Sequence, residues 1–379
     1  MNKRVEGRVM PHNVICWLGR IVALGLLLTS GVISCAVVPA EEAAKPTEAL
    51  VDIMYATDRN VTGDSVVKSF YGEERGELNY GMAQVAIRID KSKSPFADYS
   101  IWNMRLKGST RKSAELVRLD PLNREDFLNM VSKRISSTSD RSALVYTHGY
   151  ARTFERGAQT MAKLVYELRY QGIPVLYSWP SKGSASAYLG DRTTIEWSAP
   201  NFYKLLRDLS LNTKVETIHV VAHSMGNQAF LKAFMKLLDD PKITNNWKFG
   251  EIVLLAPDVD RDIFERDIAP VIVQAKSRIT LYVSDVDVPL QASKKVNLYP
   301  RLGDASVDPV IINGIETVDA SEAASLIIGH TYYRESPEVL ADQYYLINQR
   351  MAADQRPTLK AVDSAAGRYW KIKEVYVRE

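Results

Sequence analysis

Short apolar runs rich in β-branched residues recur along the chain from Ala143 onward. Runs with so little polar interruption are typical of strands buried on both faces of a parallel sheet. Apolar residues at helical spacing lie between them, for example over 158–168 and over 202–209, where Pro200 is predicted to lie in the first turn of a helix. Strict alternation of strand and helix predicts an α/β fold, a mostly parallel sheet flanked by helices on both faces. The predicted strands of this part are 143–148, 173–179, 217–224, 251–257 and 279–284.

The regions before and after this alternation are less regular. Two apolar runs, at 49–57 and 83–89, predict further strands, and the charged stretch over 60–140 predicts edge strands and long loops. The tail after Met351 is polar except for RYWKIKEVYV, which favours one more strand. We therefore expect a main domain over 50–350 and a polar C-terminal extension over 351–379.

The first 35 residues have the order of a secretory signal. Four basic residues and one acid precede an uncharged apolar run at 21–33, which is too short to span a bilayer comfortably. The run ends in Val-Ile-Ser-Cys, which resembles the cleavage motif of bacterial lipoproteins. This resemblance implies a signal peptide over 1–34, a lipid on Cys35 and a Pro-containing membrane tether over 35–49. The alternative is a signal-anchor helix with an incidental cysteine.

The cysteine count and the net charge bear on how the protein is stabilised and on its possible partners. Cys16 and Cys35 are the two cysteines, so an exported, lipidated chain contains no disulfide and depends on its core for stability. Removal of 1–34 takes away four basic groups and one acid, which changes the formal net charge from +3 to zero. A neutral mature chain argues against nucleic acid as a partner. The predicted location is the cell envelope, on a membrane through the N-terminal anchor.

The stretch TIHVVAHSMGNQAFLKAF places Ser224 between a predicted strand and a predicted helix. This is the layout of a nucleophile elbow, a tight turn that raises a serine oxygen above the sheet. The usual G-x-S-x-G is spelled here with Ala222 in the first position and Gly226 in the last. Ser224 is therefore the predicted nucleophile, and the alternative is a serine that caps a helix after a buried strand.

A serine hydroxyl needs a base to accept its proton. In folds with this elbow the partners follow in the order serine, acid, histidine. His330 is the one histidine downstream of Ser224, in the stretch LIIGHTYYRES before a predicted helix start at Ser336. We predict that His330 is the catalytic base.

The acid has several candidates after the predicted strands. Asp285 and Asp287 follow the strand ITLYVS, and we prefer Asp287 as the residue that orients the imidazole. Asp258 and Asp260 follow the preceding strand and are the rivals. Most aspartates in such places only form turns.

Negative charge on the substrate oxygen requires fixed hydrogen-bond donors. The backbone N–H of Met225 is one predicted donor. The loop His148-Gly149-Tyr150-Ala151 provides the other, with Tyr150 preferred and Ala151 next. His148 is predicted to be a structural residue of this loop, not a base.

These motifs together resemble the α/β-hydrolase superfamily. LVYTHGYARTFERGA, VLYSWPSKG, HVVAHSMGN, LLAPDVD, YVSDVDVPL and GHTYY are similar to a bacterial branch described as a domain of unknown function with esterase- and lipase-like motifs. The resemblance covers about residues 50 to 350 and implies a Ser-Asp-His hydrolase with its acid at Asp287. Neither cofactor nor metal is predicted. Ala222 departs from the pattern, and the loop over 181–196 has no assigned role.

The leading functional prediction is a carboxylic ester hydrolase for small acyl esters, because the sequence contains no long apolar lid. Acyl transfer to an alcohol on the same triad is one alternative. A catalytically silent, membrane-anchored binding lipoprotein is the other.

Overall fold

The computed structural model describes residues 47–89, 113–325 and 336–373. Cys35 and His330 lie outside these residues. The strands are β1 Thr47–Val61, β2 Tyr71–Ile89, β3 Ser113–Leu122, β4 Ser142–Thr147, β5 Ile173–Ser178, β6 Thr217–His223, β7 Phe249–Leu255, β8 Arg278–Val283, β9 Ile315–Asp319, β10 Leu359–Ser364 and β11 Gly367–Ile372.

Helices connect most of the parallel strands. They are α1 Arg124–Ser136, α2 Phe154–Leu168, α3 Tyr188–Asn212, α4 Gly226–Leu238, α5 Pro241–Thr244, α6 Arg261–Ile263, α7 Ala269–Ile272, α8 Val288–Asn297, α9 Ser321–Ser325 and α10 Pro337–Ile347. A 3₁₀ turn, Ala185–Ala187, precedes α3, and a π turn, Phe264–Ile268, joins α6 to α7.

The described strands form one sheet in the order β10-β11-β9-β8-β7-β6-β4-β5-β1-β2-β3. The strands from β9 to β1 run parallel, whereas β2 and β3 at one edge and β10 at the other are antiparallel to their neighbours. The mostly parallel sheet predicted from the sequence is confirmed. Its carboxyl edge is where the loops after β4, β6, β7 and β8 meet, which is where ligands bind in open α/β sheets.

Helices cover both faces of this sheet, as predicted. One apolar core lies between the sheet and α1, α3 and α4, and includes Phe127, Phe202 and Phe230. The other lies between the sheet and α2 and α10, and includes Met161 and Leu340. Because the central strands are buried on both faces, their sequences lack the alternation of a half-exposed strand.

Strand β1 continues beyond the parallel centre of the sheet. It pairs with β5 from Met54 to Thr57 and then extends as far as Val61 alongside β2. Arg59, on this overhang, is therefore held above the carboxyl edge, next to the loops that follow β4 and β5.

Helix α3 starts earlier than the sequence indicates. We expected Pro200 in the first turn, but the helix begins at Tyr188 and Pro200 lies inside it. The prediction failed because the first half of α3 contains Gly190 and β-branched residues, which are weak helix formers in isolation. The stretch over 181–196 that had no assigned role is thus mainly the start of α3.

The sheet continues past residue 350. β10 and β11 form an antiparallel hairpin, and β11 pairs with β9 through Trp370 and Lys371. The polar tail therefore contributes two strands at the sheet edge. Among the described helices, none combines the length and apolar character that a bilayer crossing requires.

Candidate active site

The turn at Ser224 has the geometry of a nucleophile elbow. β6 ends at His223 and α4 begins at Gly226, so the chain reverses within two residues. Ser224 has a φ of 53°, a left-handed conformation that costs a non-glycine residue about 1–2 kcal/mol. The Asn227 side-chain amide donates to the Ser224 carbonyl oxygen at 2.9 Å and holds the turn in place. Strain of this kind, compensated locally, is typical of functional sites.

Two glycines allow the surrounding backbone to approach the serine. A Cβ on Gly226 would lie 2.6 Å from the His148 carbonyl oxygen, so any side chain there would separate α4 from the loop after β4. A Cβ on Gly149 would lie 2.8 Å from the Cβ of Ser224 and 3.2 Å from its Oγ. The loop after β4 therefore runs directly against the predicted nucleophile.

The first half of that loop is fixed by His148. Its ring stacks on Trp179 with 5.4 Å between centroids, and the Trp179 indole N–H donates to the His148 carbonyl oxygen at 2.8 Å. The ring's Nδ1 lies 2.8 Å from the Gly149 carbonyl oxygen. Burial lowers the pKa of His148 well below its usual value, so the ring is neutral. His148 has the structural position predicted for it.

The second half of the loop leaves one backbone donor available. The Ala151 N–H faces the carboxylate of Asp191, with 3.4 Å between N and Oδ2. No described residue accepts a hydrogen bond from the N–H of Tyr150 or from the N–H of Met225. Met225 directly follows Ser224, and Tyr150 directly follows the glycine that contacts it. Both N–H groups therefore lie close in sequence to the contact between Gly149 and Ser224, and their role as oxyanion donors stays a prediction.

Among the candidate acids, Asp287 is buried and Asp285 is exposed. Asp287 follows β8 and caps α8, and its Oδ1 accepts from the Leu290 N–H at 3.1 Å. A buried carboxylate at the carboxyl edge, with one oxygen fixed by a helix, is suited to orient an imidazole.

The rival acids have other partners. Asp258 forms a buried ion pair with Arg301 at 2.7 Å, accepts from Ser293 Oγ at 2.6 Å, and accepts from the Tyr188 hydroxyl at 2.8 Å. Asp260 caps the short helix α6. The carboxylate of Asp258 thus accepts three contacts, which join α3, α8 and the loop after β7.

The start of α9, the last element described before His330 in the sequence, lies beside the loop that contains Asp285 and Asp287. The backbone N–H of Asp285 donates to Ser321 Oγ at 3.0 Å, at the start of α9. The chain is described again from Ser336, whose side chain caps α10 as predicted. The position of His330 itself is outside the described residues, so its distance to Ser224 stays a prediction.

His219, on β6, is part of the buried sheet. Its Nδ1 accepts from the Glu251 N–H at 3.0 Å, and burial lowers the pKa of His219 to about 4. It lies near the start of β6, at the opposite end of the strand from Ser224, so it takes no part in the elbow.

Three polar residues around the loop after β4 were not predicted from the sequence. Arg59, Ser178 and Asp191 are buried and contact this loop or its histidine. Arg59 lies 119 residues before Ser178 in the sequence, so no local pattern indicated that they meet. Only the position of Ser178 at the end of a predicted strand gave a weak signal.

The sheet order, the helices on both faces and the strained serine between β6 and α4 define an α/β-hydrolase. The family described as "Alpha/beta hydrolase of unknown function (DUF900)" matches residues 123–350, more than half of the chain. The chain belongs to this family. The match includes Ser224, Asp287 and His330. The comparison with curated proteins gives no match.

Solved structures give distant likenesses. A predicted CIB-like hydrolase from Thermoplasma acidophilum has 15% identity and a TM-score of 0.34, covering 80% of this chain and 100% of its own. The carboxylesterase CesB (YbfK) from Bacillus subtilis has 13% identity and a TM-score of 0.33, covering 56% and 86%. A Pyrobaculum calidifontis esterase has 12% identity and a TM-score of 0.30, covering 55% and 76%. At these values none of them supports an argument about substrate.

Proposed function

We propose that this protein is a serine hydrolase that cleaves small carboxylic esters through Ser224, His330 and Asp287. The observation that carries the proposal is the left-handed φ of 53° at Ser224, in a two-residue turn between β6 and α4. A helix-capping serine has no need of this strain. The close backbone approach of Gly149 to Ser224 supports the same function.

In the proposed reaction, Ser224 Oγ attacks the ester carbonyl carbon while His330 accepts its proton. The carbonyl oxygen becomes an oxyanion, which accepts hydrogen bonds from the N–H groups of Tyr150 and Met225. His330 then protonates the departing alcohol, and an acyl group is left on Ser224. Water, activated by the same imidazole, attacks the acyl-enzyme and releases the acid.

Asp287 orients the imidazole in this proposal. Its burial and its bond to the Leu290 N–H support that role, because a fixed carboxylate selects one tautomer of its partner. The contact between Asp285 and Ser321 supports it as well, since it brings the start of α9 beside the acid loop, shortly before the stretch that contains His330.

We also propose that the mature chain begins at Cys35, carries lipid there and is held on a membrane of the cell envelope. The apolar run and the Val-Ile-Ser-Cys motif support this. Cys35→Ser should move the protein from the membrane fraction to the soluble fraction. Unchanged membrane retention would favour the signal-anchor alternative.

The function is tested with p-nitrophenyl esters of increasing acyl length, on protein that starts after the tether. Wild type should release nitrophenol with a preference for short chains, and Ser224→Ala should not. Added alcohol that diverts the acyl group into a new ester would favour acyl transfer. A folded wild type with no turnover on any ester would favour a binding lipoprotein.

A further inference from the structure

Arg59 is a charged side chain with no exposed surface, on the overhang of β1. A buried cation is costly unless its donors are satisfied. Its Nε donates to Ser178 Oγ at 3.0 Å, and its Nη2 donates to the Arg152 carbonyl oxygen at 2.6 Å. Its Nη1 donates to the carbonyl oxygens of Gly72 and Ser181 at 3.0 and 3.1 Å. The contacts with Ser178 and Arg152 both lead to the loop after β4.

The contact with Ser178 continues as a chain of hydrogen bonds to the beginning of that loop. The Ser178 Oγ that accepts from Arg59 lies 3.0 Å from His148 Nε2, and His148 Nδ1 lies 2.8 Å from the Gly149 carbonyl oxygen. A carbonyl oxygen can only accept, so the proton of the neutral ring is on Nδ1. Nε2 then has no proton and accepts from the Ser178 hydroxyl, whose own oxygen accepts from the guanidinium.

This order of donors and acceptors fixes the orientation of the peptide group between Gly149 and Tyr150, next to Ser224. In a trans peptide the C=O of one residue and the N–H of the next point in opposite directions. A hydrogen bond that holds the Gly149 carbonyl therefore also holds the direction of the Tyr150 N–H, which has no acceptor among the described residues. The other end of the loop is held by the bond from Arg59 to Arg152.

We infer that Arg59 is a positioning residue, which through Ser178 and His148 aims the Tyr150 N–H at the substrate oxyanion. The inference rests on the proposed ester hydrolysis at Ser224. Arg59 does not touch the substrate in this arrangement, and no proton moves along the chain during the reaction. Its contribution is a donor already oriented before charge develops on the carbonyl oxygen.

The sharpest test replaces the imidazole by each of the two side-chain amides. In His148→Asn the amide occupies roughly the place of Nδ1 and keeps a donor for the Gly149 carbonyl. In His148→Gln the amide reaches the place of Nε2, which keeps the contact with Ser178 and loses that donor. We expect kcat for a p-nitrophenyl ester to fall less than about tenfold in His148→Asn and about 10²–10³-fold in His148→Gln, with similar KM.

Ser178→Ala and Arg59→Lys test the rest of the chain. Ser178→Ala should lower kcat about tenfold, which is the effect of one lost hydrogen bond. It should weaken the binding of a trifluoromethyl ketone by the same factor, because this inhibitor forms an oxyanion on Ser224. Arg59→Lys keeps the charge and loses Nε, and should behave like Ser178→Ala in the folded protein. A purely structural role would lower the melting temperature without a selective loss of trifluoromethyl ketone affinity, and that result would overturn the inference.

A measurement that does not depend on activity separates this inference from the proposed function. Nitrogen-15 NMR of the histidine rings should show His148 neutral with its proton on Nδ1. A proton on Nε2, or a charged ring, overturns the inference even in an active enzyme. A folded wild type without ester turnover, with His148 in the expected tautomer, overturns the proposed function, and the inference falls with it.

Discussion

The Cα of Gly149 is placed so that a Cβ on it would lie 2.8 Å from the Cβ of Ser224. Real side chains do not tolerate that separation, so a larger residue must displace the loop or the serine. Gly149→Ala should lower kcat/KM by at least about 10²-fold, because small misplacements of reacting groups have effects of that size. Activity assays on folded protein measure this.

Gly190→Ala is the matched control for this glycine. Gly190 lies in the first turn of α3, and a Cβ there meets nothing within 4 Å. The variant should keep full activity and gain up to about 1 kcal/mol in the free energy of unfolding. Equal activity in the Gly149 and Gly190 variants would contradict the close approach at Ser224.

The strain at Ser224 predicts that two inactive variants differ in stability. Glycine adopts positive φ without steric cost, whereas alanine does not. Ser224→Gly should therefore be more stable than Ser224→Ala by about 1 kcal/mol, and both should be inactive. Denaturant unfolding measures the difference, and an alanine variant at least as stable as the glycine variant would refute the left-handed conformation.

Asp287 and Asp258 should respond differently to the same substitution. Asp287→Asn should lower turnover by about 10⁴-fold with little change in stability, since the amide cannot fix the imidazole in the same tautomer. Asp258→Asn should lower the free energy of unfolding by about 3 kcal/mol, because it removes the close counter-ion of buried Arg301 and leaves the more distant Asp260 at 4.0 Å.

The control for this pair is Asp285→Asn, at an exposed position two residues from Asp287. It should change neither property strongly. If Asp258→Asn instead abolishes turnover at unchanged stability, Asp258 is the catalytic acid and the assignment of Asp287 is wrong.

The raised pKa of Glu251 predicts that the free energy of unfolding depends on pH. Burial raises the pKa of this carboxyl to about 7, despite its 3.0 Å ion pair with Arg278. The native state therefore binds this proton more tightly than the unfolded chain. The stabilisation is complete below the ordinary pKa of 4.5 and is lost as the pH rises through about 7.

Unfolding measured from about pH 4.5 to 8 checks this. In the wild type, this carboxyl should lower the free energy of unfolding by at most about 3 kcal/mol as the pH rises over that range, and Glu251→Gln should remove this decline. Glu216→Gln, at an exposed carboxylate, is the control and should keep the wild-type slope. Identical slopes in wild type and Glu251→Gln would exclude a raised pKa at Glu251.

The centre of the fold was easier to predict from the sequence than its surroundings. Strands β4 to β8 are buried on both faces, so their apolar runs stand out from the helices between them. The start of α3 was missed because its stability comes from packing and not from helix propensity. Pro200 was a misleading boundary for the same reason.

The candidate site also contains both residues that could be predicted from the sequence and residues that could not. The turn at Ser224 was predictable because a local sequence motif encodes it. The aspartates after β8 were predictable as candidate acids, whereas the burial that separates Asp287 from exposed Asp285 was not. Arg59 was not predictable, since its partners Ser178 and Arg152 are distant in sequence and meet it only through the order of β4, β5 and β1.

Peptide mapping after reaction with a fluorophosphonate probe tests whether Ser224 is the nucleophile. We predict that the probe labels Ser224 in the wild type, that His330→Ala reduces labelling by orders of magnitude, and that Ser224→Ala abolishes it. Labelling at another serine, or a folded wild type that resists the probe, would contradict hydrolysis at Ser224.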